Sequence, residues 1–221
     1  THCISSAASD VYKRQGHAMP QTATHAPQCA RYILDAARDL LAEVGYGAMS
    51  MRQLASRAGI LPGSLYHHVA SKQELLLYVL IDLHQQREAA WKSRSRSTAR
   101  AGKLRTFIAF ALDRQTAHPA ESLILEHEVR HLPAAQQRWL EQRGHGLCPP
   151  LQRLLERDGL ARQDAHGAAV TIMALLGGAH ALRRDTERWP AARLQSHFHQ
   201  LALRLLEGSS SAATSPRSLS N

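Results

Sequence analysis

Aromatic residues are scarce in this chain. Phe, Trp and Tyr together make up 5 % of its 221 residues, while Leu and Ala carry most of a 44 % hydrophobic content. That balance suits helices better than sheets, which draw on aromatic and β-branched residues. Cysteine is rarer still: Cys3, Cys29 and Cys148 are odd in number and form no Cys-x-x-Cys pair. A disulfide framework is not expected, and a reducing cytoplasm is the expected setting. No stretch approaches the roughly 18 consecutive apolar residues that span a bilayer, and no apolar signal-peptide core precedes the first helical pattern. The chain also has neither a Gly-rich phosphate loop nor a G-x-S-x-G elbow, which removes two common enzyme signatures.

Acidic charge is in deficit as well. Lys and Arg number 27 against 18 Asp and Glu, a formal net charge of +9. Such a surface attracts polyanions, whether nucleic acid or an anionic membrane. The Arg residues are scattered rather than set opposite a large apolar face, which disfavours a membrane-surface helix. Between Cys29 and Arg94, eight basic residues meet only six acidic ones, so most of the basicity lies beyond this segment.

Residues 5–15, SSAASDVYKRQ, resemble a translated sequencing-library adapter. Residues 1–26 are therefore expected to be an artefactual or disordered leader, with the natural start near Met19. From Gln28 onward the apolar spacing is helical throughout. Ile33, Leu34, Ala37, Leu40, Leu41 and Val44 mark a first helix that Gly45 and Gly47 end. Ser50 caps a second, which Gly59 breaks. Pro62 opens a third through about Val69, and Ser71 caps a longer fourth. Lys92–Arg100 is polar throughout and reads as the end of that helix and a connector. Beyond it, further helices start near Leu104, at Pro119 (through about Leu132), at Pro133, at Asp164 and at Pro190. Gly208 is the expected cap of the last one. Cys148-Pro149-Pro150 predicts a kink or break after Leu147. The tail, 208–221, is expected to be disordered. The fold class is thus all-α, with a helix-turn-helix unit over 27–72 and a helical domain over 73–207.

The segment Ser50 to Leu77, SMRQLASRAGILPGSLYHHVASKQELLL, is the most informative. Two short helices flank the Gly59-Ile60-Leu61 turn, the helix-turn-helix spacing, and the second of such a pair can enter the major groove. GSLYHHVASKQELL with the upstream RQLASRAG, and Ile33-Leu34-Asp35-Ala36-Ala37 followed by Gly45-Tyr46, resemble the TetR family of transcription regulators over about residues 29–80. The resemblance implies DNA contacts from Pro62, Gly63, Ser64 and Leu65 at the start of the recognition helix. It also implies backbone-phosphate contacts from Tyr66 and His67. Lys72 opens the fourth helix toward the same strand, while Ser50 and Arg52 start the helix that crosses the backbone. Leu61 or Leu65 could meet a thymine methyl group. His68 reads equally well as a contact or as packing.

The same resemblance implies a helical C-terminal domain that binds a small-molecule effector and dimerises. The last two helices, with Gly177 and Gly178 allowing close approach, are the expected homodimer face. His118, His127, His131 and Trp139 are the expected polar and aromatic ligand contacts. The expected activity is repression at a palindromic operator, relieved by effector, with no cofactor and no catalysis. One motif points elsewhere. His127-Glu128-Val129-Arg130-His131 is H-E-x-x-H, which on a helix sets two zinc ligands on one face with Glu as general base. Metal-dependent hydrolysis or metal sensing is the alternative. Pro133 and the failure of the extended motif at Ala134 and Gln137 argue against a protease.

Overall fold

The computed structural model describes residues 30–142, 148–179 and 189–212. The adapter-like leader, Pro27, Leu147 and the tail beyond residue 212 lie outside the described residues. Ten α-helices run through them, here α1 (Arg31–Ala48), α2 (Met51–Arg57), α3 (Pro62–Leu65), α4 (Lys72–Ser95), α5 (Lys103–Ala117), α6 (Pro119–His127), α7 (Ala134–Gln142), α8 (Cys148–Arg157), α9 (Arg162–Gly177) and α10 (Ala191–Ala212). No strand occurs among the described residues. Among the described residues, no helix is long and apolar enough to cross a membrane.

Local sequence sets the first four helices. α1 breaks at Gly45, whose φ of +72° is the left-handed conformation that favours glycine. One turn of helix follows before Met49. At α2, Ser50 and Gln53 form a reciprocal capping box, with 3.1 Å and 2.8 Å hydrogen bonds. α2 ends on Gly59 at φ +69°, where the Ile60 amide donates to the Ala55 carbonyl across a Schellman turn. α3 carries Pro62 in its first turn, and hydrogen-bonded turns extend it to Val69. Ser71 caps α4 by accepting from the Glu74 amide.

Two apolar cores form. The first gathers Ile33, Leu40, Leu54, Leu65, Leu75 and Leu80 from α1–α4, joined by Ile124, Leu132, Trp139 and Leu140 from α6, α7 and the turn between them. The second gathers Trp91 from the far end of α4 with Phe107, Leu151, Leu155, Ile172 and Phe198 from α5, α8, α9 and α10. α4 is thus the shared beam, its first half in one core and its last turns in the other. The packing does not divide at residue 72, since α6 and α7 belong to the N-terminal core.

Buried ions tie the halves together. Arg114 donates to both oxygens of Glu121 at 2.8 Å and 2.6 Å, and Arg87 Nε lies 3.1 Å from the same carboxylate. α4, α5 and α6 therefore meet at one buried carboxylate shared by two guanidinium groups. Burial pulls the Arg87 guanidinium below its ordinary value, with Glu121 opposing that shift. Nearer the N-terminus, Asp82 of α4 accepts from Arg31 of α1 at 2.6 Å and from Gln86 at 2.6 Å.

Three expectations are corrected. The helix from Pro119 does not reach Leu132: α6 ends at His127 and a 3-10 turn covers Val129–His131. Gly208 does not cap the last helix, which continues to Ala212. Glycine costs only about 1 kcal/mol inside a helix, so it permits a stop without forcing one. Part of the segment expected to be disordered is therefore helical. Pro149 and Pro150 sit in the first turn of α8, where their missing amides cost no intrahelical bond.

Candidate nucleic-acid interface and its link to the C-terminal half

α2 and α3 rest on the first core through Leu54, Ala55 and Leu65, with Met51 packed partly buried against it, and turn most of their other side chains outward. Leu61 is 76 % exposed and Tyr66 55 % exposed. Arg52, Pro62, Gly63 and His67 are exposed beside them, and Ser64 is half-buried. A folded chain gains little by leaving a leucine and a tyrosine in water on one short edge. The arrangement fits a surface built for a partner. A Cβ placed on Gly63 meets nothing within 4 Å. Internal packing thus does not demand glycine there, whereas close approach of a groove would.

The sequence-predicted residues sort by what they touch. Ser50 keeps its hydroxyl oxygen on the Gln53 amide, which leaves only its proton for a phosphate. Leu65 is fully buried and cannot meet a thymine methyl group. Over a four-residue helix, apolar spacing does not separate the inward face from the outward one, so Leu61 and Leu65 read alike in sequence. His68 is half-buried with its ring edge-on to Tyr32 at 6.5 Å, the packing role of its two readings. Lys72 Nζ donates to the Gly47 carbonyl at 3.3 Å and lies 4.4 Å from the Tyr46 ring centroid. An ammonium has three donors, so this anchoring leaves it able to reach a phosphate.

Tyr46 leads directly to the H-E-x-x-H segment. Its ring stacks on His131, with centroids 4.9 Å apart and planes 26° apart. Its amide donates to Glu128 Oε2 at 3.2 Å. Glu128 is buried, and its Oε2 lies 3.5 Å from His131 Nε2. A Cβ on Gly45 would stand 3.4 Å from Glu128 Oε1, at a φ that already favours glycine. Burial raises the Tyr46 phenol above its ordinary value. The motif therefore acts as a clamp. Glu128 holds the last turn of α1, beyond the break at Gly45, and the helix that would have aligned His127 with His131 ends between them. His127 is exposed. Among the described residues, no group of three or more His, Cys, Asp or Glu side chains has metal-holding geometry.

Sequence reasoning missed Tyr46 and Glu128 as a pair, because 82 residues separate them. Of the expected ligand contacts, His118 is the exposed residue preceding α6, His131 belongs to the clamp, and Trp139 is buried in the first core. None of the four lines the cavities described between α4, α5 and α8 or between α5 and α10.

Known proteins give the same picture. Residues 33–79 match the family model of bacterial regulatory proteins, tetR family. The chain is 40 % identical over 106 residues to the HTH-type transcriptional repressor KstR2 of Rhodococcus jostii strain RHA1, covering 46 % of this chain and 50 % of that one. It thus spans about half the length of that relative. AibR, solved in complex with isovaleryl coenzyme A and operator DNA, superposes with a TM-score of 0.63 at 21 % identity, covering 78 % of this chain and 97 % of that one. The ketosteroid transcriptional regulator KstR2 of Mycobacterium tuberculosis superposes with a TM-score of 0.55 at 24 % identity, covering 81 % and 94 %. The fold likeness extends across both halves, while sequence likeness concentrates on the helix-turn-helix, where residues 33–79 carry the pattern of the tetR family of bacterial regulatory proteins.

Proposed function

We propose that this chain is a ligand-responsive, DNA-binding transcriptional repressor that sits as a homodimer on a palindromic operator and leaves it when a small-molecule effector binds. The carrying observation is the exposed edge of Leu61, Pro62, Gly63, Tyr66 and His67. It rests on a helix-turn-helix whose caps and turn are complete without it. The major groove admits such an element, and in this reading Tyr66, His67 and Lys72 meet phosphate while Leu61 and Ser64 meet base edges.

Dimerisation is supported by α9 and α10. Val170 and Leu203 are exposed apolar side chains on these helices. A Cβ on Gly177 meets nothing within 4 Å, which leaves room for a partner helix. An effector is supported by AibR, whose structure holds isovaleryl coenzyme A together with operator DNA. His118, His127, His131 and Trp139 lie about the α6–α7 joint, where α6 and α7 pack on the DNA-binding core. An effector that favours one arrangement of α4 and α6 over another shifts the recognition helices, and the coupling equals its difference in affinity for the two.

The test is selection from random duplex DNA by the purified protein. Enrichment of an inverted repeat, lost with Tyr66→Ala in a protein of unchanged helicity, is the expected result. No enrichment from a folded protein would remove the DNA-binding reading.

A further inference from the structure

A cavity of about 430 Å³ lies at the end of the molecule far from the helix-turn-helix, between the last turns of α4, the start of α5 and α8. Its floor is the edge of the second core, formed by Trp91, Leu154 and Pro150. Its wall is cationic. Five basic side chains, Lys92, Arg100, Lys103, Arg153 and Arg157, face two carboxylates, Glu88 and Asp158. The carboxylates are already engaged: Glu88 with Lys92 at 3.0 Å and Arg153 at 3.9 Å, and Asp158 with Arg100 at 3.1 Å. Lys103 and Arg157 form no ion pair among the described residues.

Lys103 follows directly on a 3-10 turn over Arg100–Gly102 and its amide donates to the Arg100 carbonyl, so the attraction for an anion comes from the side chains. Two cations without an ion pair and an apolar floor thus converge on one cavity. Operator DNA does not explain the charge. Trp91 is 19 residues along α4 from Lys72, about 30 Å at 1.5 Å per residue.

We infer that this cavity binds an amphipathic organic anion, a phosphate ester whose charged group lies between the Lys103 and Arg157 side chains and whose apolar part covers Trp91 and Leu154. Arg and Lys around an apolar floor give this pairing both charge recognition and a desolvated contact. Glu88, Trp91 and Lys92 stand on the same helix that begins at Lys72, so occupancy bears on the helix that enters the DNA-binding core. That consequence, though not the binding itself, rests on the regulator reading above.

The experiment is calorimetric titration of the full chain with three probes: octyl phosphate, inorganic pyrophosphate and octan-1-ol. Octyl phosphate is expected to bind saturably. Pyrophosphate should bind at least tenfold more weakly, and octan-1-ol should give no saturable heat. K103E/R157E should weaken octyl phosphate at least tenfold while leaving thermal unfolding no lower than wild type, and K103R/R157K should restore most of the affinity. Absence of octyl phosphate binding would overturn the inference. So would binding that the charge reversal leaves unchanged, or pyrophosphate binding as tightly as the ester. Charge-dependent octyl phosphate binding that leaves affinity for a selected duplex unaltered would keep the site and remove its effector role.

Discussion

The two cores of this molecule are built on different terms. The first, around α1–α3 and the start of α4, is closed by short-range devices: the Ser50–Gln53 box, the Gly59 turn, Pro62 and the Ser71 cap. The second, around the end of α4 with α5, α8, α9 and α10, is closed by side chains from distant segments, and its edge opens into a cationic cavity. A unit that must present one fixed edge to a regular duplex gains from local rigidity. A unit that must respond to a ligand gains from contacts that can rearrange. The joint between them is ionic, formed by Glu121 with its two arginines, whereas the clamp of Glu128 on Tyr46 and His131 lies within the first core.

The largest expected effect falls on that joint. Glu121→Gln leaves Arg87 and Arg114 buried without a full counter-charge, so unfolding in urea should show a loss of about 3–5 kcal/mol. A loss near zero would mean the joint is dispensable. Next is Leu65. As a fully buried side chain, Leu65→Ala should lose about 3 kcal/mol of stability, whereas Leu61→Ala should change stability by less than about 0.5 kcal/mol and act on DNA affinity instead. The reverse order would restore Leu65 to the interface. Glu128→Ala leaves the Tyr46 amide without its acceptor and should cost about 1–2 kcal/mol. Amide exchange at Tyr46 should quicken with it, and unchanged protection would dissolve the clamp.

The smallest effect is electrostatic and local to the first core. Glu43 accepts from Arg57 at 2.9 Å and 2.7 Å, bridging α1 and α2. That hydrogen bond holds the Glu43 carboxyl below its ordinary value. A carboxylate with a depressed folded-state pKa adds stability at neutral pH and loses it as pH falls through the depressed value. The urea midpoints of wild type and Glu43→Gln should therefore differ slightly at pH 7 and draw together as pH falls below the ordinary glutamate value. A gap that widens in acid would contradict the assignment.

The same contrast decides what was legible in the sequence. Caps, a positive-φ glycine and a first-turn proline act within four residues of themselves, so α2, α3 and the start of α4 could be placed from residue types alone. Two sequence-local inferences failed where tertiary contact decided the outcome. Leu65 turns inward because a single helical turn takes its orientation from the core it lands on. His127 and His131 part because Glu128 is drawn to an amide 82 residues away. The cationic cavity was invisible for a related reason. Lys103 and Arg157 lie far apart in the chain and carry no motif, and only the packing of α5 beside α8 brings them to one opening.

The most direct test of the central claim is the salt dependence of binding to a duplex recovered by selection. Each phosphate neutralised should contribute about −0.9 to the slope of log affinity against log salt concentration. The wild type should show a steep slope, and Lys72→Gln should reduce it by about 1 while retaining the selected sequence. A flat slope, or a steep one that Lys72→Gln and Tyr66→Ala both leave unchanged, would contradict the placement of this edge on DNA.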